Sequence, residues 1–120
     1  MNALLLVDKS AYVRGPEVDD ELCLCAVTRL EILYSARSPT EYAALERELS
    51  LFRDLRMDAE TFAAAAGAQR ELSETGAHRL PVTDLLIAAC AQQHGADVLH
   101  VDRHFDALAA VLKFRAVRVD

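Results

Sequence analysis

Residues 3–7 read ALLLV, an unbroken apolar run that stops at Asp8. The run lacks the in–out alternation of a half-exposed strand and is too short for a buried helix. It fits a strand covered on both faces, as in a parallel sheet with helices on each side. Further short apolar runs at residues 22–27, 98–101 and 116–119 are read as strands of the same kind. The segments between them carry helical spacing. Residues 28–36 form one helix through Leu30, Leu33 and Tyr34. A second runs from 40 to about 55, with Ser38 as its cap, Pro39 at its first position, and Leu45, Leu49 and Phe52 on one face. A third covers 58–75 and stops at Gly76. A fourth opens at Pro81-Val82-Thr83 and ends at His94, with Gly95 suited to a left-handed cap, and a fifth covers 105–112. Strands alternating with helices make an α/β sandwich on a mainly parallel sheet.

With 120 residues and no internal linker or repeat, the chain is expected to be a single domain. No apolar run approaches the roughly 18–20 residues that a bilayer span needs. Met1-Asn2 offers no basic leader, and the apolar run that follows is too short for a signal peptide, so a cytoplasmic protein is expected. Three cysteines (Cys23, Cys25, Cys90) without a CxxC pair read as buried thiols. Thirteen Lys and Arg against nineteen Asp and Glu leave a formal charge of −6. A protein that merely neutralised phosphates would lean basic. Contact with nucleic acid therefore calls for something that screens the acids, and a divalent cation does so.

The acidic residues fall at telling places. Asp8 and Asp102 end strands, while Glu31 and Asp84 lie on first turns of helices. In an open parallel sheet, strand carboxyl ends and the helix starts that follow share one edge, where ligands bind. Asp84 joins that edge only if its helix docks there. Each residue also has a purely structural explanation. Thr28-Arg29-Leu30-Glu31 matches a capping box, Asp84 suits a helix dipole, and Asp102 suits an N-cap. Asp8 has no evident capping role, because Ser10 can supply that cap, and a carboxylate at the end of a buried strand costs free energy unless paired or metal-bound. Taken together, the four suit a hard cation such as Mg²⁺ or Mn²⁺ and the in-line displacement of a phosphodiester. Other α/β chemistries lack their motifs: there is no GxGxxG, GxxxxGK[ST] or GxSxG, and Ser10 stands where a phosphoaspartate hydrolase would need a second Asp.

Segments 5–11 (LLVDKSA), 31–37 (EILYSAR), 84–89 (DLLIAA) and 99–106 (LHVDRHFD), in this order, closely resemble a PIN domain of the VapC toxin type. The resemblance implies a single PIN-like three-layer α/β/α domain over residues 1–120. It further implies an Mg²⁺-dependent endoribonuclease, with Mn²⁺ as a substitute, that cleaves structured RNA such as tRNA or rRNA. The implied partners are a cognate antitoxin and a second copy, giving a homodimer or a toxin–antitoxin hetero-oligomer. Carried over by position, Asp8, Glu31, Asp84 and Asp102 are the catalytic and metal-binding acids. Ser10 supports the metal's water shell, and Asp106 is an auxiliary acid or a plain first-turn residue.

Two departures stand out. The family often has Asp-x-Asp-Phe near the last acid, whereas His104 occupies the second position here; it is expected to face solvent, the alternative being that it replaces a supporting carboxylate. The stretch 12–25 is short, with room for one or two helical turns, which is expected to open one wall of the RNA groove or alter dimer contacts. Arg14, Arg29, Arg37, Arg79 and Arg103 lie within or beside the acidic segments. Of these, Arg14, Arg29 and Arg103 are candidates for RNA contact, with local ion pairs as the other explanation for Arg29 and Arg103. Lys9 is expected to point away from Asp8. Antitoxin docking is expected on helices bearing Leu33, Tyr34, Leu45, Leu49 and Phe52, residues that core packing also explains. The competing function is a PIN-like binding module that sequesters antitoxin or RNA without cutting.

Overall fold

A computed structural model describes residues 3–119. Its centre is a five-stranded sheet in the order β3-β2-β1-β4-β5. The strands are β1 (Leu4–Val7), β2 (Glu21–Leu24), β3 (Arg53–Asp54), β4 (Asp97–His100) and β5 (Ala116–Arg118). Every neighbouring pair is parallel. The helices are α1 (Lys9–Tyr12), α2 (Ala26–Tyr34), α3 (Pro39–Leu49), α4 (Ala59–Ser73), α5 (Val82–His94) and α6 (His104–Leu108). The chain's first strand is thus the sheet's middle one, which explains the unbroken apolar run.

The period-two geometry of the strands divides the core in two. Leu6, Cys23 and Val98 point to one side, where they pack with Ala65, Ala68 and Leu72 of α4, the apolar side chains of α5, and Phe105 and Leu108 of α6. Leu5, Val7, Leu24 and Leu99 point to the other, against Ala11 of α1, Ile32 and Leu33 of α2, and Leu49 of α3. Each fully buried Leu contributes roughly 1.5–3 kcal/mol of transfer free energy. Helix α5 is buried along most of its length, and its Ala88, Ala89, Cys90 and Ala91 let its backbone lie close to the sheet. Gly95 ends α5 with φ 65°, in the left-handed region its sequence position called for. All three cysteines are free and buried.

Several boundaries differ from the sequence expectation. Helix α3 ends at Leu49 rather than near 55, and the chain turns through Ser50–Phe52 into the two-residue edge strand β3. Phe52 therefore leaves the helix and meets the Tyr12 ring edge-on at 6.1 Å. Helix α2 begins at Ala26, earlier than expected, and α6 stops at Leu108. Between β1 and β2 only the four residues of α1 are helical. Among the described residues, no helix is long and apolar enough to cross a membrane.

Candidate active site

The carboxyl ends of β1 and β4 lie side by side, because Val7 pairs with Leu99. Asp8 immediately follows β1 and is buried, 5% exposed. It is the N-cap of α1 after all, and it accepts from the Ser10 backbone N–H at 3.0 Å and from the Ser10 hydroxyl at 2.5 Å, both at Oδ2. The Ser10 Oγ in turn accepts from the Val101 N–H at 3.0 Å. One hydroxyl therefore fixes the Asp8 carboxylate and ties it to the end of β4. Two donors on one oxygen leave Asp8 Oδ1 with lone pairs to offer.

Asp84 sits in the first turn of α5, and its helix does dock at this edge. It is 6% exposed, and burial, followed by the nearby charge of Asp8, pushes its carboxyl up to about 6 from 3.8. His104, the first residue of α6, places Nδ1 3.0 Å from Asp84 Oδ2 and 3.0 Å from Asp102 Oδ1. Asp102 Oδ1 also accepts from the His104 backbone N–H at 3.0 Å, so Asp102 stabilises the start of α6. The expectation that His104 faces solvent is corrected: its ring bridges two of the acids, because the turn after β4 directs it back over the sheet edge toward α5. One ligand atom from each of Asp84, Asp102 and His104 lies within 4.8 Å of the others.

Glu31 reaches the group from α2. The capping box at this helix start is made instead by Cys25, whose N–H donates to Thr28 Oγ1 at 2.8 Å. Glu31 is left a turn further in, with Oε1 buried and without a hydrogen-bond partner. Burial and then the charges of Asp8 and Asp84 raise its proton affinity, while Lys9 and Thr83 pull weakly the other way. Lys9 lines a groove of about 510 Å³ with Glu31 and Thr83, close enough for its charge to act on the Glu31 carboxyl. An orphaned buried carboxylate oxygen close to the Asp8 and Asp84 carboxylates is a donor set that suits a divalent cation.

Asp106 stands apart, exposed, with Oδ1 3.8 Å from the buried His100 Nε2. Arg29 pairs with Asp54 at 3.4 Å. Arg14 and Arg103 instead line an open cleft of about 560 Å³ with Ser10, Val101 and Asp102. Arg118, from β5, is the third arginine in this cleft; sequence reasoning missed it because nothing local marks it, only the pairing of β5 with β4. Among the described residues none of these three arginines forms an ion pair, whereas Arg29, Arg53, Arg56 and Arg115 all do. Of the expected docking residues, Leu33 and Leu49 belong to the core, while Tyr34 is 88% exposed and lines the groove by Glu31 with Val27 and Leu30.

Comparison with known proteins bears on the family and the fold. The family model for the PIN domain matches residues 6–111. The chain is 43% identical over 95 residues to ribonuclease VapC18 of Mycobacterium tuberculosis, covering 77% of this chain and 69% of that protein. It is 38% identical over 117 residues to ribonuclease VapC17 of the same organism, covering 88% and 87%. Among solved structures, its fold is similar to VapBC-5, a toxin–antitoxin system of M. tuberculosis, with a TM-score of 0.78 at 23% identity over 98% of this chain and 99% of that one. It is also similar to VapBC2 of Rickettsia felis, solved bound to a DNA fragment from its promoter, with a TM-score of 0.79 at 15% identity and the same coverage.

Proposed function

The chain belongs to the PIN domain family of VapC ribonucleases, and from that premise we propose that it is the toxin of a toxin–antitoxin pair, a divalent-metal-dependent endoribonuclease of the cytoplasm that cuts structured RNA such as tRNA or rRNA. The observation that carries this reading is the convergence of Asp8, Asp84 and Asp102 from three separate elements, with the unpartnered Glu31 Oε1 beside them. Asp8, Glu31, Asp84 and Asp102 would hold Mg²⁺, with Mn²⁺ as a substitute. When bound, such a cation supplies Lewis acidity, making water more acidic and offsetting negative charge on the phosphoryl oxygens.

The protein's own groups do the rest. Ser10 locks the Asp8 carboxylate in one orientation, so that little reorganisation accompanies binding. Glu31, its proton affinity raised by its surroundings, takes the proton of the attacking water on its carboxylate. The water oxygen bonds to phosphorus as the bond to the leaving ribose oxygen breaks, and that oxygen takes up a proton from solvent. Arg14, Arg103 and Arg118 hold flanking phosphates in their cleft, which lets a protein of charge −6 present a local cationic track to RNA. Arg29, neutralised by Asp54, plays a lesser part.

The groove by Glu31, with Leu30 64% and Tyr34 88% exposed, is where an antitoxin segment would cover the site. Family membership also supports a homodimer or a toxin–antitoxin hetero-oligomer. The test is incubation of total RNA with the purified chain and Mg²⁺, beside EDTA and Asp8→Asn controls. Discrete cuts that vanish in both controls are expected. Cleavage that survives Asp8→Asn would refute the mechanism. A folded chain that binds its antitoxin and never cuts would leave a sequestering module in its place.

A further inference from the structure

We propose that His104 is itself a ligand of the metal, and that this nitrogen donor tilts the site toward Mn²⁺ and away from Mg²⁺. The proposal rests on the metal-dependent reading above and adds to it a residue and a preference among ions. Its basis is the position of the ring. Two elements hold the imidazole in place: Asp102 grips the His104 backbone N–H at 3.0 Å, and Asp84, on α5, meets Nδ1 at 3.0 Å.

Nδ1 also lies 3.0 Å from Asp102 Oδ1. A single imidazole nitrogen carries at most one hydrogen, which cannot serve two carboxylates fully. Two carboxylates therefore converge on a group that can satisfy only one of them, with Asp8 adding a further nearby charge. A divalent cation shared by the three groups removes this mismatch. The spacing suits one. Ligand atoms about 2.0–2.2 Å from a cation sit about 3 Å apart when they occupy adjacent positions. Nδ1 stands at that distance from both oxygens, and the three donor atoms fall within 4.8 Å of one another.

A second feature outside this trio points the same way. Glu31 Oε1 is buried and has no hydrogen-bond partner, and the charges of Asp8 and Asp84 bear on it, so the acidic group has an unmet need for a positive ligand beyond what His104 supplies. The identity of the ion then follows from the donors. Mg²⁺ is a hard cation that dehydrates reluctantly and takes oxygen ligands. Imidazole suits borderline ions, and an oxygen set that includes one nitrogen still accommodates Mn²⁺. With a side chain 34% exposed, His104 can bind an ion while the open side of the site remains available to RNA.

Pulsed electron paramagnetic resonance of the full chain loaded with Mn²⁺ tests this directly, because a ¹⁴N nucleus bound to the ion modulates the electron spin echo. Wild-type protein is expected to show that modulation, and both His104→Asp and His104→Gln to lose it. Calorimetric titrations of the RNA-free protein should show the Mn²⁺ over Mg²⁺ preference lost in His104→Asp, where the nitrogen donor is replaced by oxygen. Thermal melts establish that each variant is folded. Mn²⁺ that binds the wild type without ¹⁴N modulation would overturn the assignment while leaving the metal-dependent nuclease intact. Modulation that persists in both variants would overturn it equally. Failure of the wild type to bind Mn²⁺ at all would sink the assignment and the metal-dependent reading together.

Discussion

Replacing Asp84 by Asn should make the metal-free protein more stable. A carboxyl raised to about 6 in the folded chain, from 3.8, holds its proton more tightly folded than unfolded. Its effect on stability is nil below about pH 4, where both states are protonated. It becomes destabilising as pH rises from about 4 to about 6, where the unfolded chain ionises while the folded chain keeps its proton, and it is complete above 6. At roughly 1.4 kcal/mol per pKa unit, the full effect is about 3 kcal/mol. The Asn amide keeps an acceptor for the His104 ring but brings its own burial cost, so a net gain of about 1–2 kcal/mol is expected. Urea denaturation of both proteins in EDTA, from pH 4 to pH 8, measures it. The gap in favour of the variant should be small at pH 4, open between 4 and 6, and stay level above. Excess Mn²⁺ should then reverse the ranking, since only the wild type gains binding free energy. A variant no more stable than the wild type at pH 7.5, or a gap independent of pH, would refute the reasoning.

Ser10→Ala strands the Val101 N–H and frees the Asp8 carboxylate, and it should cost about 1–2 kcal/mol of stability in chemical denaturation. RNA cleavage by the same variant should fall about tenfold or more in a gel assay, as for other groups that orient metal ligands. Alanine at Arg14, Arg103 or Arg118 should weaken RNA binding, each lowering the salt dependence measured by filter binding by about 0.7 in slope, with Arg29→Ala doing less. Gly95→Ala should lower stability by about 1 kcal/mol in thermal melts, because φ 65° at the end of α5 strains any side chain.

The architecture was legible because its apolar runs had only one use. ALLLV had to be an inner strand, and four such runs separated by helical spacing left an α/β sandwich. Strand β3 escaped because its two residues, Arg53 and Asp54, are exposed and charged; only pairing with Cys23 and Leu24 makes them a strand. The same pairing ends α3 early, against a helical spacing that ran on to Phe52. Within the site, strand ends placed Asp8 and Asp102 on one edge, but Asp84 depended on how α5 docks. Glu31 matched a cap locally and was displaced from that role once Cys25 and Thr28 formed their own. His104 was beyond local reading altogether, since its direction follows from the packing of α6 beside α5. Arg118 shares that difficulty, being brought to Arg14 and Arg103 by a strand pairing at the opposite end of the chain.

The middle position of β1 has a consequence for how the protein is made. A ribosome releases β1 first, yet one of its two neighbours, β4, spans Asp97–His100 and emerges only after most of the chain. The Ser10 hydroxyl must wait for Val101, and Asp84 for His104, before either finds its place. A nascent chain therefore carries no assembled acidic centre, however long translation pauses along the way. The cutting chemistry proposed here would arise in a single late step, when the C-terminal third docks, and an antitoxin would have until that moment to be present.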